Sequence, residues 1–165
     1  MVSIHYCCIL VLVKKTVTTG SADETKLIGK KIGAAVKGGE VFVLDSDLGG
    51  GKTTFTKGVA ESMGVEEIVH SPTFTLEQVY PAKNGLFLHH YDFYRLQDPG
   101  VLADQLDESL QDKKVVVVIE WSGIVEDHIK NAIRINFKND PGKSDVREIS
   151  INAPENKKYL LEEIL

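Results

Sequence analysis

Eight residues constrain this chain more than any others: Ser46-Asp47-Leu48-Gly49-Gly50-Gly51-Lys52-Thr53. Before them, Glu40 to Asp45 reads as a short buried strand. After them a helix opens at Lys52, with Phe55, Val59 and Met63 on its inner face and Gly64 placed to end it. The pattern G-x-x-x-x-G-K-[ST] between a strand and a helix is a phosphate-binding loop. Its glycines let successive backbone N–H groups curl around phosphate oxygens, and the helix N-terminus adds unpaired donors. Lys52 is expected to reach the β- and γ-phosphates as a point charge, and Thr53 to place its hydroxyl on the bridging Mg²⁺. A plain glycine-rich turn is the competing reading, and it must account separately for Gly-Lys-Thr-Thr and both flanking elements. Ser46 stands where the template has its leading glycine. If that position demands a positive φ, serine costs about 1–2 kcal/mol there.

A nucleotide hydrolase also needs a carboxylate at the end of a buried strand facing the loop. Val115 to Ile119 is an unbroken β-branched run ending in Glu120, as in a strand covered on both faces of a parallel sheet. Glu120 is therefore expected to hold Mg²⁺ or to orient an attacking water. Trp121, beside it, is expected against the base, a partner or the core.

The remaining segments fill out one α/β layer sandwich. Ser21 and Glu24 form a capping-box signature ahead of a helix with Ile28, Ile32, Ala35 and Val36 on one face. Thr75–Tyr80 and Leu86–Phe93 read as strands joined at Asn84-Gly85, a hairpin signal. A helix is expected after Asp98-Pro99 towards Leu110. Strands are expected over Ala132–Phe137 and Val146–Ile151, and a closing helix over Glu155–Leu165. The apolar run Ile4–Val13 is too short to span a bilayer, which takes ~20 residues, and reads as a buried strand. Residues 1–15 are thus either an N-terminal extension or the first strand. The fold class expected is a three-layer α/β/α P-loop NTPase-like sandwich with a mixed, partly parallel sheet, in one domain over 1–165.

Composition narrows the partners. The 165 residues carry 19 Lys+Arg against 24 Asp+Glu, a formal charge of −5, which does not suit an extended nucleic-acid grip. Cys7 and Cys8 are the two cysteines, adjacent, with no disulfide framework or zinc set, so a reducing cytoplasm is expected. The guanine-reading pattern [NT]-K-x-D finds only Gly142-Lys143-Ser144-Asp145, which favours ATP. Arg95, Arg134 and Arg147 are the only arginines, few for a kinase that must clamp a second anion.

Beyond the loop, three stretches follow in order: Ser71-Pro72-Thr73-Phe74-Thr75-Leu76, His90-Tyr91-Asp92-Phe93-Tyr94-Arg95-Leu96 and Ile119-Glu120-Trp121. With the loop, they resemble the G-D-L-G-A-G-K-T-T, S-P-T-F-T-L, H-x-D-x-Y-R-L and I-E-W motifs of the TsaE (YjeE) family. These are bacterial ATPases required for threonylcarbamoyladenosine in tRNA. The resemblance runs from about Thr16 to the C-terminus. It implies that Asp47, Leu48, Gly49, Gly50, Gly51, Lys52, Thr53 and Thr54 hold ATP, and that Thr53 and Glu120 hold Mg²⁺. It also implies a switch role for Thr73 near the γ-phosphate and a water- or metal-orienting role for Asp92. Alternation places Leu88, His90 and Asp92 on one strand face, with Tyr91 and Phe93 turned to the core. His90 is expected to be a structural hydrogen-bonder, and His89 to carry no chemistry. The resemblance further places Gly20–Thr25, with Ala22, beside the adenine, and brings Arg147 to the nucleotide.

Two loop positions depart from the family pattern, Ser46 for glycine and Gly50 for alanine. The stretch Asp104–Leu110 departs as well, which bears on partner contacts through that helix. The function implied is a Mg²⁺-dependent ATPase, slow alone, acting with TsaD and TsaB homologues and reaching tRNA only through them. A small-molecule or nucleotide kinase and a binding module with a worn loop are the alternatives.

Overall fold

The computed structural model describes residues 11–164. The apolar run expected as a strand over Ile4–Val13 therefore lies outside the described residues except for its last three positions. Among the described residues seven strands form one sheet in the order β1-β7-β6-β2-β5-β4-β3. They are β1 (Leu12–Thr19), β2 (Val41–Asp45), β3 (Glu77–Pro81), β4 (Phe87–Asp92), β5 (Val115–Glu120), β6 (Ile133–Asp140) and β7 (Lys143–Pro154). The central four, β6-β2-β5-β4, run parallel. The edges are antiparallel, β3 on β4 at one side and β7 then β1 at the other. The mixed sheet and its α/β class match the expectation.

Two cores on opposite faces make three layers. Phe42, Leu44, Leu88, Val116 and Val118 point to one face, where α1 (Ala22–Ala35) and α2 (Lys52–Met63) bury Ile28, Ile32, Phe55 and Val59. Val43, Tyr91, Phe93, Val117 and Ile119 point to the other, covered by α3 (Val101–Gln111) through Leu102 and Leu106. β5 is buried along its whole length because β2 and β4 flank it and both faces are covered. That is what its unbroken apolar run demands.

α1 and α2 touch backbone to backbone. A Cβ on Gly58 would lie 2.1 Å from the Lys26 carbonyl, and one on Gly29 2.2 Å from that of Phe55. The contact fixes the helix that carries Lys52 and Thr53 against its neighbour.

Local chemistry explains the boundaries. Ser21 Oγ accepts from Glu24 N at 3.1 Å, while the Glu24 carboxylate takes Gly20 N at 2.7 Å, one residue outside the usual capping box. The strand expected from Thr75 begins at Glu77. The reason is a turn: Thr75 N and Leu76 N both bond the Pro72 carbonyl, and Leu76 adopts φ 67°. Asn84 and Gly85, at φ 60° and 71°, close the hairpin as their sequence suggests. Asp98 accepts from Gly100 N, and α3 begins one residue later.

The closing helix over Glu155–Leu165 is a correction. Glu155–Leu161 is a short 3-10 turn. Lys157 reaches the Gly39 carbonyl and Tyr159 the Glu40 carboxylate, so tertiary ties override helix propensity. Leu160, Leu161 and Ile164 are nevertheless buried, as expected.

Candidate active site

The parallel strands β2, β4 and β5 end on the same edge of the sheet, and a cavity of roughly 440 Å³ lies beyond those ends. Open α/β sheets place ligands there. β2 delivers the glycine loop, β5 delivers Glu120 and β4 delivers Asp92. Leu48 to Thr54, Thr73, Asp92, Glu120, Ala22 and Arg147 all line the cavity. Sequence reasoning thus collects into one site residues up to 125 positions apart (147 − 22 = 125). Asp47 is placed elsewhere: its side chain is exposed, in a separate depression with Ser46 and Asn136. Thr25, at the end of the segment expected beside the adenine, also lines the cavity, as do Ser71, Tyr94 and Arg95, which stood inside motifs without an assigned site role.

The loop takes its shape from two glycines. Gly49 (φ 77°) and Gly51 (φ 110°) occupy the left-handed region, while Ser46 does not, so the strain considered for serine is absent. Gly51 caps α2 without a side-chain hydrogen bond, which leaves the first amides of that helix for a ligand. Lys52 is only 6% exposed. Its ammonium donates to Ser46 Oγ at 2.9 Å and to the Ser46 carbonyl at 3.4 Å, and stands 4.7 Å from the centre of the Trp121 ring. Trp121 in turn packs on Tyr94, so it meets both the site and its wall. At the end of β2, burial pushes the Asp45 carboxyl above its usual range; Arg134 pulls it back, Glu126 reinforces the rise, and Lys52 opposes it.

Two buried carboxylates face the cavity differently. Asp92 is saturated: Oδ2 accepts from Thr73 Oγ1 at 2.7 Å and Ser71 Oγ at 3.3 Å, and Oδ1 from Tyr94 N at 2.8 Å. It ties the Ser71–Leu76 turn to the sheet. Glu120 takes one hydrogen bond, from His90 Nε2 to Oε1 at 3.0 Å. His90 is fully buried; the Glu120 carboxylate only accepts, so Nε2 is the nitrogen that donates to it, and Nδ1 has no partner among the described residues. His90 is thus the structural hydrogen-bonder expected. His89, on the other face, bonds Ser109 Oγ at 2.8 Å.

The donor set fits a hard divalent ion. A hydroxyl on Thr53 and a carboxylate on Glu120 are oxygen ligands of the kind Mg²⁺ takes, with substrate phosphates and water completing its shell. Among the described residues no cluster of three or more His, Cys, Asp or Glu side chains could hold a metal by itself.

Known proteins share this sequence and this fold. Residues 19–149 match the family model described as threonylcarbamoyl adenosine biosynthesis protein TsaE. The tRNA threonylcarbamoyladenosine biosynthesis protein TsaE of Bacillus subtilis is 39% identical over 145 residues, covering 87% of this chain and 88% of that protein. Its namesake from Streptomyces coelicolor is 32% identical, over 76% of this chain and 88% of that protein. A crystal structure of Bacillus subtilis YdiB superposes with a TM-score of 0.75 at 36% identity, covering 93% of this chain and 95% of that one.

Proposed function

The chain belongs to the TsaE family, of tRNA threonylcarbamoyladenosine biosynthesis, and on that premise we propose that it is a Mg²⁺-dependent ATPase working with TsaD and TsaB homologues. One observation carries the reading: the glycine loop, a buried lysine ammonium and a carboxylate with one free oxygen converge on a single cavity. Backbone amides from Leu48 to Thr54 hold the ATP phosphates, and Lys52 turns its ammonium to the β- and γ-oxygens. Thr53 and Glu120 hold Mg²⁺, which neutralises charge developing on those oxygens. The free oxygen of Glu120 also faces the place where a water attacks. Asp92 serves by holding Thr73 and Ser71 in position. Ala22, Thr25 and Arg147 border the cavity beside Gly51 and receive the nucleoside end.

Turnover alone is slow on this reading. A fixed arginine at the γ-phosphate can be worth ~10³–10⁵ in rate. Arg95 is exposed and lies against the Tyr94 ring, and Arg147 is half-buried and tied to the Asp145 carbonyl. The third arginine, Arg134, is engaged by Glu126. No described helix is long and apolar enough to cross a membrane, and the cytoplasm, where tRNA is modified, is the compartment proposed.

Calorimetric titration with ATP and Mg²⁺ tests the reading, with and without TsaD and TsaB homologues. Wild type is expected to bind, and Lys52→Ala to weaken binding about 100-fold or more, or about 2.7 kcal/mol. Partners are expected to raise ATP turnover. A wild-type protein that binds no ATP, or a Lys52→Ala variant with unchanged affinity, overturns the assignment. Turnover that needs an added small acceptor instead identifies a kinase.

A further inference from the structure

We propose that Ser46 is a positioning residue for Lys52, and that position 50 is glycine because the Ser46 side chain fills the space a Cβ would need. The functional half of this inference rests on the loop being a phosphate cup; the steric half stands without it.

A buried ammonium needs acceptors for its three protons. Among the described residues the hydrogen bonds of the Lys52 ammonium go to Ser46 alone, through Oγ at 2.9 Å and the carbonyl at 3.4 Å. The hydroxyl is itself oriented, donating its proton to the Asp47 carbonyl at 2.8 Å and so presenting a lone pair to Lys52. Glycine at 46 would offer the carbonyl only. The hydroxyl therefore holds the ammonium over the loop, near where phosphate arrives, and less freedom is lost on binding.

The same side chain dictates its neighbour. Gly50 does not occupy the left-handed region, so its backbone permits any residue. Space forbids one: a Cβ there would lie 2.5 Å from both Cβ and Oγ of Ser46, and 3.1 Å from the Asp47 carbonyl. Rotating the hydroxyl relieves one contact and leaves the Cβ–Cβ overlap. A side chain can stand at 46 or at 50, and not at both. The serine at 46 and the glycine at 50 are therefore sterically linked.

Two measurements test the pair. The chain has a single tryptophan, and it lies against the Lys52 ammonium, so Trp121 emission reports where that ammonium sits. In nucleotide-free protein, Ser46→Ala is expected to shift the emission, and to shift nothing further in a Lys52→Ala background. In ATP titrations Ser46→Ala is expected to weaken affinity about three- to tenfold. Gly50→Ala is expected to weaken it more than tenfold, and Ser46→Gly combined with Gly50→Ala to return within about threefold of Ser46→Gly alone. If Gly50→Ala does not fold, a cooperative native-like melt of the double variant still supports the pair, and an equally unfolded double variant overturns it. An equal cost of Gly50→Ala in both backgrounds overturns the steric half. An emission shift that is absent, or that persists without Lys52, overturns the positioning role. Failure of the wild type to bind ATP removes the phosphate reading and leaves emission and melting to decide the pair.

Discussion

Glu40 and Glu120 sit at opposite ends of the same parallel strands, both nearly out of water at 0% and 3% exposure. Glu40 precedes β2, and its backbone carbonyl accepts Val117 N at 2.9 Å, so it belongs to the end of the sheet away from the cavity. Its carboxylate is closed by three donors: Lys37 N at 2.9 Å, Gly38 N at 2.8 Å and the Tyr159 hydroxyl at 2.6 Å. Glu120 ends β5 with one donor, His90, and an oxygen left to the cavity. Burial alone does not separate the two. What separates them is whether the chain has used up the acceptor. A saturated carboxylate fastens the fold, here the Gly38-Gly39 turn and the C-terminal segment. An unsaturated one is held ready for a group the chain does not supply.

The largest effect expected from breaking this contrast is on stability at Glu40. Glu40→Ala leaves two amides and a phenol without their acceptor, at a cost of about 3 kcal/mol. For a chain of this size that lowers the melting temperature by about 6–12 °C. ATP affinity below the transition should be unchanged. Glu120→Gln should do the reverse. Its amide oxygen still accepts from His90, so stability stays within about 1 kcal/mol, while the Mg²⁺-dependent part of ATP affinity disappears. Thermal melts and titrations of the two variants side by side decide it. Equal destabilisation by both would dissolve the distinction.

Asp92 sharpens the contrast because it lies at the functional end and is nevertheless saturated. Its three donors come from Ser71, Thr73 and Tyr94, so its work is to pin the turn that precedes β3. Asp92→Ala is expected to cost about 2 kcal/mol. The Thr75 and Leu76 amides, which close on the Pro72 carbonyl, should then exchange with solvent much faster. Unchanged exchange over 71–76 would mean that the turn holds itself, and Asp92 would return to the group available for ligand.

These contrasts also mark what was legible in the sequence. Contiguous or periodic features were: the loop between strand and helix, the β-branched run ending at Glu120, and the alternation that turns Asp92 to the site and Tyr91 to the core. Features resting on distant or irregular contacts were not. Glu40 read as the start of a strand, because its partner Tyr159 lies 119 positions away. Gly29 and Gly58 gave no signal in sequence, because a backbone crossing leaves no period of its own. Ser46 and Gly50 read as two separate departures, because contact between them in a loop follows no helical or strand spacing. Ser71 and Arg95 stood inside quoted motifs; their side-chain positions depended on the Pro72 turn and on the positive φ of Arg95 itself.

The smallest effect expected lies far from the cavity and probes how a half-buried histidine is held. Burial keeps the pKa of His89 below its ordinary value, with Glu77 and Asp112 pulling the other way. The unfolded chain binds this proton near pH 6.5, and the folded chain only at lower pH. Above about pH 7 both states are neutral and the stabilisation is fully present. As pH falls through about 6.5 the unfolded state takes up the proton first, so stability drops until the lower folded pKa is passed. His89→Gln can keep a hydrogen bond to Ser109 and removes the titration. The difference in melting temperature between wild type and this variant should therefore move against the wild type between about pH 7 and pH 5, other titrating groups being common to both. Movement in favour of the wild type would show that Glu77, 3.5 Å from Nδ1, outweighs burial and that the two form an ion pair.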